Sequence, residues 1–298
     1  MLLAFVAQRG TPTNVALAAA APPWVDARIL TPERAAAVLR TCDAAVGRLD
    51  VADSLDGVED GLWALGTLAA RGVRVLNRAG ALLAEHDKLL TARVLGREGL
   101  PHPRTRMLHP SGSAPPWSRP VVVKPRFGSW GLDVTRCENE VAFRRHLHAL
   151  ERRPWFQQHG ALVQELVEPA GHDLRIVVAG GVPVGAISRV AAKGEWRTNV
   201  SLGGTRVRVD PSPEALALAV RAAAAAGTEL VGVDLLPDGS GGWTVLELNG
   251  AVDFTAQYRI DRDPFVAAVS ELARAARTSV PAIPESPPAA VTGAVGAA

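Results

Sequence analysis

Three oxygen-bearing side chains, Asp234, Glu247 and Asn249, stand in the most β-prone stretch of the chain. It reads Leu-Val-Gly-Val-Asp-Leu-Leu from Leu230, then a Pro-Asp-Gly-Ser-Gly-Gly turn cluster, then Trp-Thr-Val-Leu-Glu-Leu-Asn ending at Asn249. Two short β-prone runs around such a cluster predict a hairpin. With the turn between Ser240 and Gly241, Asp234 lies directly opposite Glu247. Like charges opposed at about 4.5–5.5 Å are destabilising, so something positive belongs between them. Strand alternation puts Asn249 on the face of Glu247, and Val233, Leu235, Leu246 and Leu248 on the apolar face. Two carboxylates and an amide oxygen suit a hard cation such as magnesium, which takes its remaining ligands from water and substrate phosphates. The plainer alternative is a solvated hairpin whose two acids are unrelated, and a one-residue bulge in the turn would separate them.

Other residues point toward phosphate. The run Val121-Val122-Val123-Lys124 ends a buried strand in a lysine, and Gly128-Ser129-Trp130-Gly131 follows. Glycines let backbone N–H groups surround phosphate oxygens, although a tight hairpin with an exposed lysine has the same composition. Asp87 is a candidate helix N-cap, which puts Lys88 in a first turn where a cation is unfavourable unless an anion sits beside it. A solvated lysine is the commoner explanation. Asp173 and Arg175 share a strand face opposite Leu174 and Ile176. The polar, glycine-rich segment 193–204 carries Arg197, Thr198 and Asn199 and reads as a functional loop.

These residues need elements to hold them. Within residues 2–76, apolar runs at 2–7, 44–49 and 73–76 alternate with helical patterns around 14–21 and 57–71, which predicts a small Rossmann-like parallel-sheet domain. Its first strand is followed by Gln8-Arg9-Gly10-Thr11 rather than Gly-x-Gly-x-x-Gly, so its expected role is one wall of a substrate cleft. Further on, helices are expected up to Gly99, over 139–150 and over 214–226. Strands are expected over 161–167 and from Gly171, with a hairpin through Gly180-Gly181 to Arg189. Residues 278–298, rich in Pro, Ala, Gly and Ser, read as disordered.

Composition narrows the class. A chain of 298 residues holds two or three modest domains, and a formal net charge of +2 provides no broad basic field for nucleic acid. Paired arginines such as Arg144-Arg145 and Arg152-Arg153 read as a solvated helix face. Two cysteines, Cys42 and Cys137, form neither a disulfide framework nor a metal-ligand spacing, which fits a reducing cytoplasm. No run reaches the roughly 20 apolar residues of a membrane helix, and the N-terminus lacks the basic start of a signal sequence. A soluble cytoplasmic protein is expected.

Taken in order, Lys88, Lys124, the Gly128–Gly131 loop, Gln164-Glu165, Asp173-x-Arg175, Arg197-Thr198-Asn199 and Asp234…Glu247-x-Asn249 resemble the ATP-grasp superfamily. Within it the chain is most similar to RimK-type glutamate ligases and to the LysX-type amino-acid ligases of carrier-protein lysine biosynthesis, over roughly residues 84–265. The resemblance implies an α/β chain: an ATP-grasp fold of two α+β lobes preceded by a Rossmann-like pre-ATP-grasp domain. The expected boundaries are 1–85 for that domain, 86–160 for the central lobe with the phosphate loop, and 161–277 for the C-terminal lobe with the metal site.

The resemblance also implies roles. Lys88 and Lys124 contact phosphates, Gly128, Ser129 and Gly131 close over them, Gln164, Glu165 and Leu166 meet the adenine edge, and Asp173 helps hold the nucleotide. Arg175, Arg189, Arg197 and Asn199 surround the transferring phosphoryl group and the substrate carboxylate. Asp234, Glu247 and Asn249 hold magnesium or manganese. The implied reaction converts a carboxylate to an acylphosphate with ATP and joins it to an amine. The implied partners are ATP, an amino acid such as glutamate, and a carboxylate on a peptide or small acidic carrier protein, with no nucleic acid or membrane; a homo-oligomer is compatible. Leu132 stands where the LysX-type loop usually has Arg, whereas Gly250-Ala251-Val252-Asp253-Phe254 is nearer the LysX-type ending than the Ser-Pro-Gly of RimK-type ligases. A natural-product peptide ligase, a kinase on the same scaffold and an inert nucleotide-binding module are the rival readings.

Overall fold

The computed structural model describes residues 1–111 and 120–278; apart from Thr278, the tail expected to be disordered lies outside the described residues. The N-terminal part alternates strands and helices: β1 (Leu2–Val6), α1 (Pro12–Ala19), β2 (Asp26–Leu30), α2 (Pro32–Val38), β3 (Ala44–Gly47), α3 (Leu62–Ala70) and β4 (Arg74–Leu76). The four strands form one parallel sheet in the order β2-β1-β3-β4, as the alternation requires. β2 and α2 were not anticipated. β2 is an edge strand with an irregular burial pattern, so it carries neither an apolar run nor a clean alternation.

The chain continues through α4 (Ala79–His86), α5 (Lys88–Arg97), β5 (Thr105–Leu108), β6 (Val121–Pro125), β7 (Thr135–Cys137), α6 (Glu140–Leu150), α7 (Pro154–His159) and β8 (Ala161–Glu165). Here the strands form an antiparallel sheet in the order β5-β8-β6-β7. The last part comprises β9 (His172–Ala179), β10 (Val182–Val190), β11 (Thr205–Val207), α8 (Pro213–Ala226), β12 (Leu230–Pro237), β13 (Trp243–Asn249) and α9 (Pro264–Arg277). Its five strands form an antiparallel sheet in the order β11-β10-β9-β12-β13.

Several helix starts share one local cause. Thr11, Thr31, Ser212 and Asp263 each accept a backbone N–H with the side chain, and the proline that follows each of them occupies the first turn. A capping oxygen satisfies an orphan donor, while proline needs none and is already at a helical φ. At the other end of α8, Gly227 takes the left-handed φ of 67° that closes a helix.

The third sheet is covered on both faces. α8 and Leu95 of α5 pack against Leu174, Ile176, Val233, Leu235, Val245 and Leu248 on one face. On the other, α9 buries Val269 and Leu272 together with Val177, Leu230, and Leu3 and Phe5 of the first sheet. Asn77 adds a polar tie between these parts: fully buried, it donates to Leu230 O at 2.6 Å and accepts from the N–H groups of Glu229 and Leu230 at 2.8 Å each. Arg48, at the end of β3, donates to Asn14 and to the carbonyls of Gly250 and Val252. The loop after β13 is thereby fixed against the first domain.

Candidate functional site

The hairpin pairs as its spacing suggested, with Gly232 opposite Asn249, Val233 opposite Leu248 and Asp234 opposite Glu247. A register shift follows between Asp234 and Leu235, so that Leu235 pairs with Val245. The bulge lies beyond the acidic pair and leaves it intact, but it changes the fate of Leu246. Expected on the apolar face, Leu246 instead lines the first of two adjoining cavities, beside Glu247.

The positive charge demanded by the opposed acids comes in this structure from the protein. Asp234, 1 % exposed, accepts from Arg175 Nε at 2.6 Å, Arg175 Nη2 at 2.7 Å and Arg189 Nη2 at 2.7 Å. Arg189 also holds Asp173, donating from Nε at 2.8 Å and from Nη2. Strand register explains the lattice: Arg189 pairs with Asp173, Arg175 with Asp234 and Asp234 with Glu247 across four neighbouring strands. Burial pushes the Asp234 carboxyl up, but the two guanidinium groups outweigh it and hold the carboxyl well below the usual carboxylate range. Lys88 Nζ lies 3.6 Å from Glu247 Oε2.

A hard cation still fits the remaining donors. Among the described residues Glu247 accepts no side-chain hydrogen bond, and Asn249 spends only Nδ2 of its side chain, on Gly232 O at 3.4 Å, which leaves its amide oxygen without a partner there. Three hydrogen bonds on Asp234 leave about one of roughly four lone-pair positions. Glu247 and Asn249 line the second cavity, whereas Asp234 is among the lining residues of neither. Among the described residues no three His, Cys, Asp or Glu side chains gather as a metal-binding group; one or two carboxylates with an amide oxygen, water and substrate phosphate suffice for magnesium.

The first cavity is lined by Lys88, Lys124, Gly128, Ser129, Gly131, Gln164, Glu165, Leu166, Arg197 and Asn199 from the expected set, together with Trp196, Leu236 and Leu246. Lys124 is 4 % exposed and donates to Gln164 Oε1 at 2.8 Å; Gln164 in turn donates to Thr105 at 2.8 Å. Burial lowers the Lys124 ammonium to about 8, with Glu247 pulling it up and Lys88 pushing it down. An exposed lysine on a tight hairpin is thus excluded. Asp173, expected to help hold a nucleotide, lines neither cavity: it accepts from Arg189 and from Thr198 Oγ1 at 2.5 Å. It acts on the cavity only through those residues.

Asp87 caps α5 as predicted, accepting from the N–H groups of Leu89 and Leu90. It also takes both Nε and Nη2 of Arg126, at 2.8 and 2.5 Å, which ties the helix start to the glycine loop. Lys88 Nζ donates to Gly128 O. Arg197 reaches the same loop from the third sheet, donating to Gly131 O at 3.1 Å and Val134 O at 3.3 Å while its Nε and Nη2 hold Glu195. That pairing holds the Glu195 carboxyl down at about 2. Four of its five N–H groups are committed, so Arg197 fastens the loop as well as lining the cavity. Gly131 has a φ of +73°, and a Cβ there would lie 2.8 Å from Asn199 Oδ1, so only glycine allows the loop to come this close.

The second cavity shares Lys88, Gly128, Ser129, Trp130, Asn199 and Glu247 with the first and adds Arg175, Arg189 and Arg206 on one side. A third opens between the glycine loop and the first domain and shares Asp50, Val51, Trp130 and Asp253 with the second. Arg206, Asp50, Asp253, Trp130 and Leu246 were not anticipated as site residues. Trp130 lies within the glycine loop and Asp253 within the Gly250–Phe254 stretch, but no role was read for either, and the first domain's share depends on folding across more than two hundred residues.

Two antiparallel sheets that border one cavity, with lysines and a glycine loop together with a carboxylate-amide pair beside it, define an ATP-grasp fold. The RimK-like ATP-grasp domain matches residues 85–268, and the chain belongs to that family. A probable alpha-L-glutamate ligase of Pseudomonas paraeruginosa is 33% identical over 186 residues, which cover 60% of this chain and 60% of that protein. The chain thus matches less than two thirds of that relative's length. The glutamate–LysW ligase ArgX of Sulfurisphaera tokodaii is 29% identical over 70% of this chain and 76% of its own. Among solved structures, the RimK domain ATP-grasp protein of Sphaerobacter thermophilus superposes with a TM-score of 0.65 at 22% identity, covering 91% of this chain and 99% of that one. Among the described residues no helix is long and apolar enough to cross a membrane.

Proposed function

We propose that the protein is an ATP-dependent carboxylate–amine ligase that forms an amide through an acylphosphate. The observation that carries this reading is the shared wall of the first two cavities: Lys88 and Glu247 border both. ATP in the first cavity would present its γ-phosphate at that wall, and a carboxylate in the second would meet it there. Glu247 and Asn249, with Asp234 opposite Glu247 in the strand register, would hold magnesium or manganese, which when bound would supply Lewis-acid neutralisation of phosphoryl charge.

The remaining work belongs to the chain's own groups. Lys124, Lys88 and the N–H groups of the loop at Gly128–Gly131 bind and orient phosphate oxygens, with Gln164, Glu165 and Leu166 toward the base. Arg175 and Arg189, fixed by Asp234 and Asp173, offer preorganised positive charge to the substrate carboxylate. Its oxygen attacks the γ-phosphorus and ADP leaves. The amine then attacks the acyl carbon, the bridging oxygen departs with inorganic phosphate, and the amine's proton passes to solvent. Relatives named as glutamate ligases support glutamate as the amino acid. The third cavity, which shares lining residues with the second, supports an acceptor larger than a free amino acid, such as a peptide or acidic carrier protein.

Hydroxylamine tests the reading. With ATP, magnesium and a panel of carboxylates, the protein should release phosphate and form a hydroxamate without any amino acid. A stable phosphorylated product with no hydroxamate makes it a kinase instead.

A further inference from the structure

Lys124 ends a chain of hydrogen-bonded side chains that starts on a different sheet. Its ammonium can only donate, so the amide oxygen of Gln164 faces it, at 2.8 Å. The NH2 end of that amide then points the other way, to Thr105 Oγ1 at 2.8 Å and, at a longer 3.5 Å, to His102 Nε2. His102 Nδ1 lies 2.8 Å from Val245 O, which can only accept. Nδ1 therefore carries the ring proton. Nε2 is left as an acceptor for Gln164 and for the Thr105 hydroxyl 3.3 Å away, which has a second outlet in Pro103 O at 2.9 Å. Burial lowers the ring to about 4, with Val245 O raising it and Lys124 lowering it, so it is neutral at physiological pH.

The backbone explains why His102 reaches both ends. It lies in the connection between α5 and β5, and that connection grips Val245 twice: Val245 N donates to Pro101 O at 2.9 Å, while Val245 O takes His102. Val245 adjoins the bulged Leu246, which lines the first cavity with Glu247. At the other end Thr105 of β5 pairs with Gln164 of β8, and Lys124 of β6 stands diagonal to Gln164 across the next pair of strands. Diagonal neighbours are within reach of long side chains. His102 itself lines none of the three cavities. It joins the sheet of Lys124 and Gln164 to the strand of Leu246 and Glu247.

We propose that His102 is a positioning residue for the nucleotide: through Gln164 it fixes where Lys124 stands, and through Val245 it ties that position to the β13 wall of the same cavity. This rests on ATP occupying the first cavity, as the ligase reading has it. An amide held at one end only can rotate, and its oxygen then serves the buried ammonium less well. That loss falls on the charged form, which burial already opposes and hydrogen bonding supports. Lys88 and Glu247, the charged groups that face Lys124, are untouched by a change at His102.

Calorimetry on the full chain with a nonhydrolysable ATP analogue and magnesium, at pH 6.5 and pH 8, tests it on two variants. His102→Phe removes both ring bonds. His102→Asn leaves a side-chain N–H near the Nδ1 position for Val245 O and no acceptor for Gln164. At pH 8 both should bind the analogue about fivefold more weakly than the wild type, as expected when the Lys124 ammonium, at about 8 in the wild type, titrates roughly one pH unit lower. At pH 6.5 the lysine is charged in all three proteins, and the affinities should agree within about twofold. Proton uptake on binding at pH 8 should rise in step with the loss. An Asn variant equal to the wild type at pH 8 would show that only the tie to Val245 matters, and a loss of the same size at both pH values would show general damage; either overturns the proposal. A wild type that takes up no proton removes Lys124 from the site and the proposal with it, whereas the hydroxamate reaction of the wild type decides the ligase reading separately.

Discussion

Replacing Asp234 by Asn should cost fold stability as well as activity. The substitution keeps shape but removes the charge that accepts three hydrogen bonds from Arg175 and Arg189. Arg189 retains Asp173, but Arg175 has no other carboxylate partner among the described residues. Its guanidinium, only 15 % exposed, would remain as an uncompensated buried cation. Each charge-assisted hydrogen bond is worth about 1.5–3 kcal/mol, and the three are not additive because they share one carboxylate. Breaking a buried ion pair from one side typically costs about 3–5 kcal/mol, which is the loss expected here. Urea unfolding followed by the fluorescence of the seven tryptophans would measure it. Acid should expose the same contribution: the Asp234 carboxyl is held below its ordinary value, so the stabilisation is full at neutral pH and is lost as pH falls toward strongly acidic values. A loss below about 1 kcal/mol would refute the view that this lattice of charges holds the third sheet's polar face together.

Glu247, by contrast, accepts no side-chain hydrogen bond from the described residues and sits only 3.6 Å from one lysine, so Glu247→Gln should leave unfolding nearly unchanged while removing most magnesium-dependent turnover; steady-state rates across a magnesium titration check this. Lys124 should make nucleotide binding proton-linked. With its ammonium lowered to about 8, the free protein at pH 8 carries the charge about half the time, and phosphate favours the charged form. ATP binding should therefore take up about half a proton at that pH and weaken as pH rises further. Calorimetry in buffers of different ionisation enthalpy reads the uptake, and Lys124→Met should abolish it.

The strand that ends in Lys124, the capped helix that starts at Lys88 and the hairpin that opposes Asp234 to Glu247 were all legible, because each follows from local pattern: an apolar run, a cap, a turn cluster. β2 was not, since an edge strand half open to solvent has no regular alternation. α2 carried the same signal as α1, a threonine followed by proline, and could have been read from it. The bulge at Leu246 was invisible because nothing near Gly241 dictates which residue is left unpaired. Opposed acids do not by themselves require a metal. Arg175 answers Asp234 across the sheet and Lys88 answers Glu247 from a helix, and neither pairing can be deduced before the strand order is known. Asp50 and Asp253 escaped for the same reason, as they meet only when the first domain folds against the loop after β13.

The central claim is that a carboxylate oxygen attacks the γ-phosphate before any amide forms. Its most direct test labels both oxygens of the substrate carboxylate with oxygen-18 and analyses the released phosphate by mass spectrometry. The acylphosphate route predicts one labelled oxygen in each phosphate, because the bridging atom leaves with it. Unlabelled phosphate alongside amide product would contradict the account.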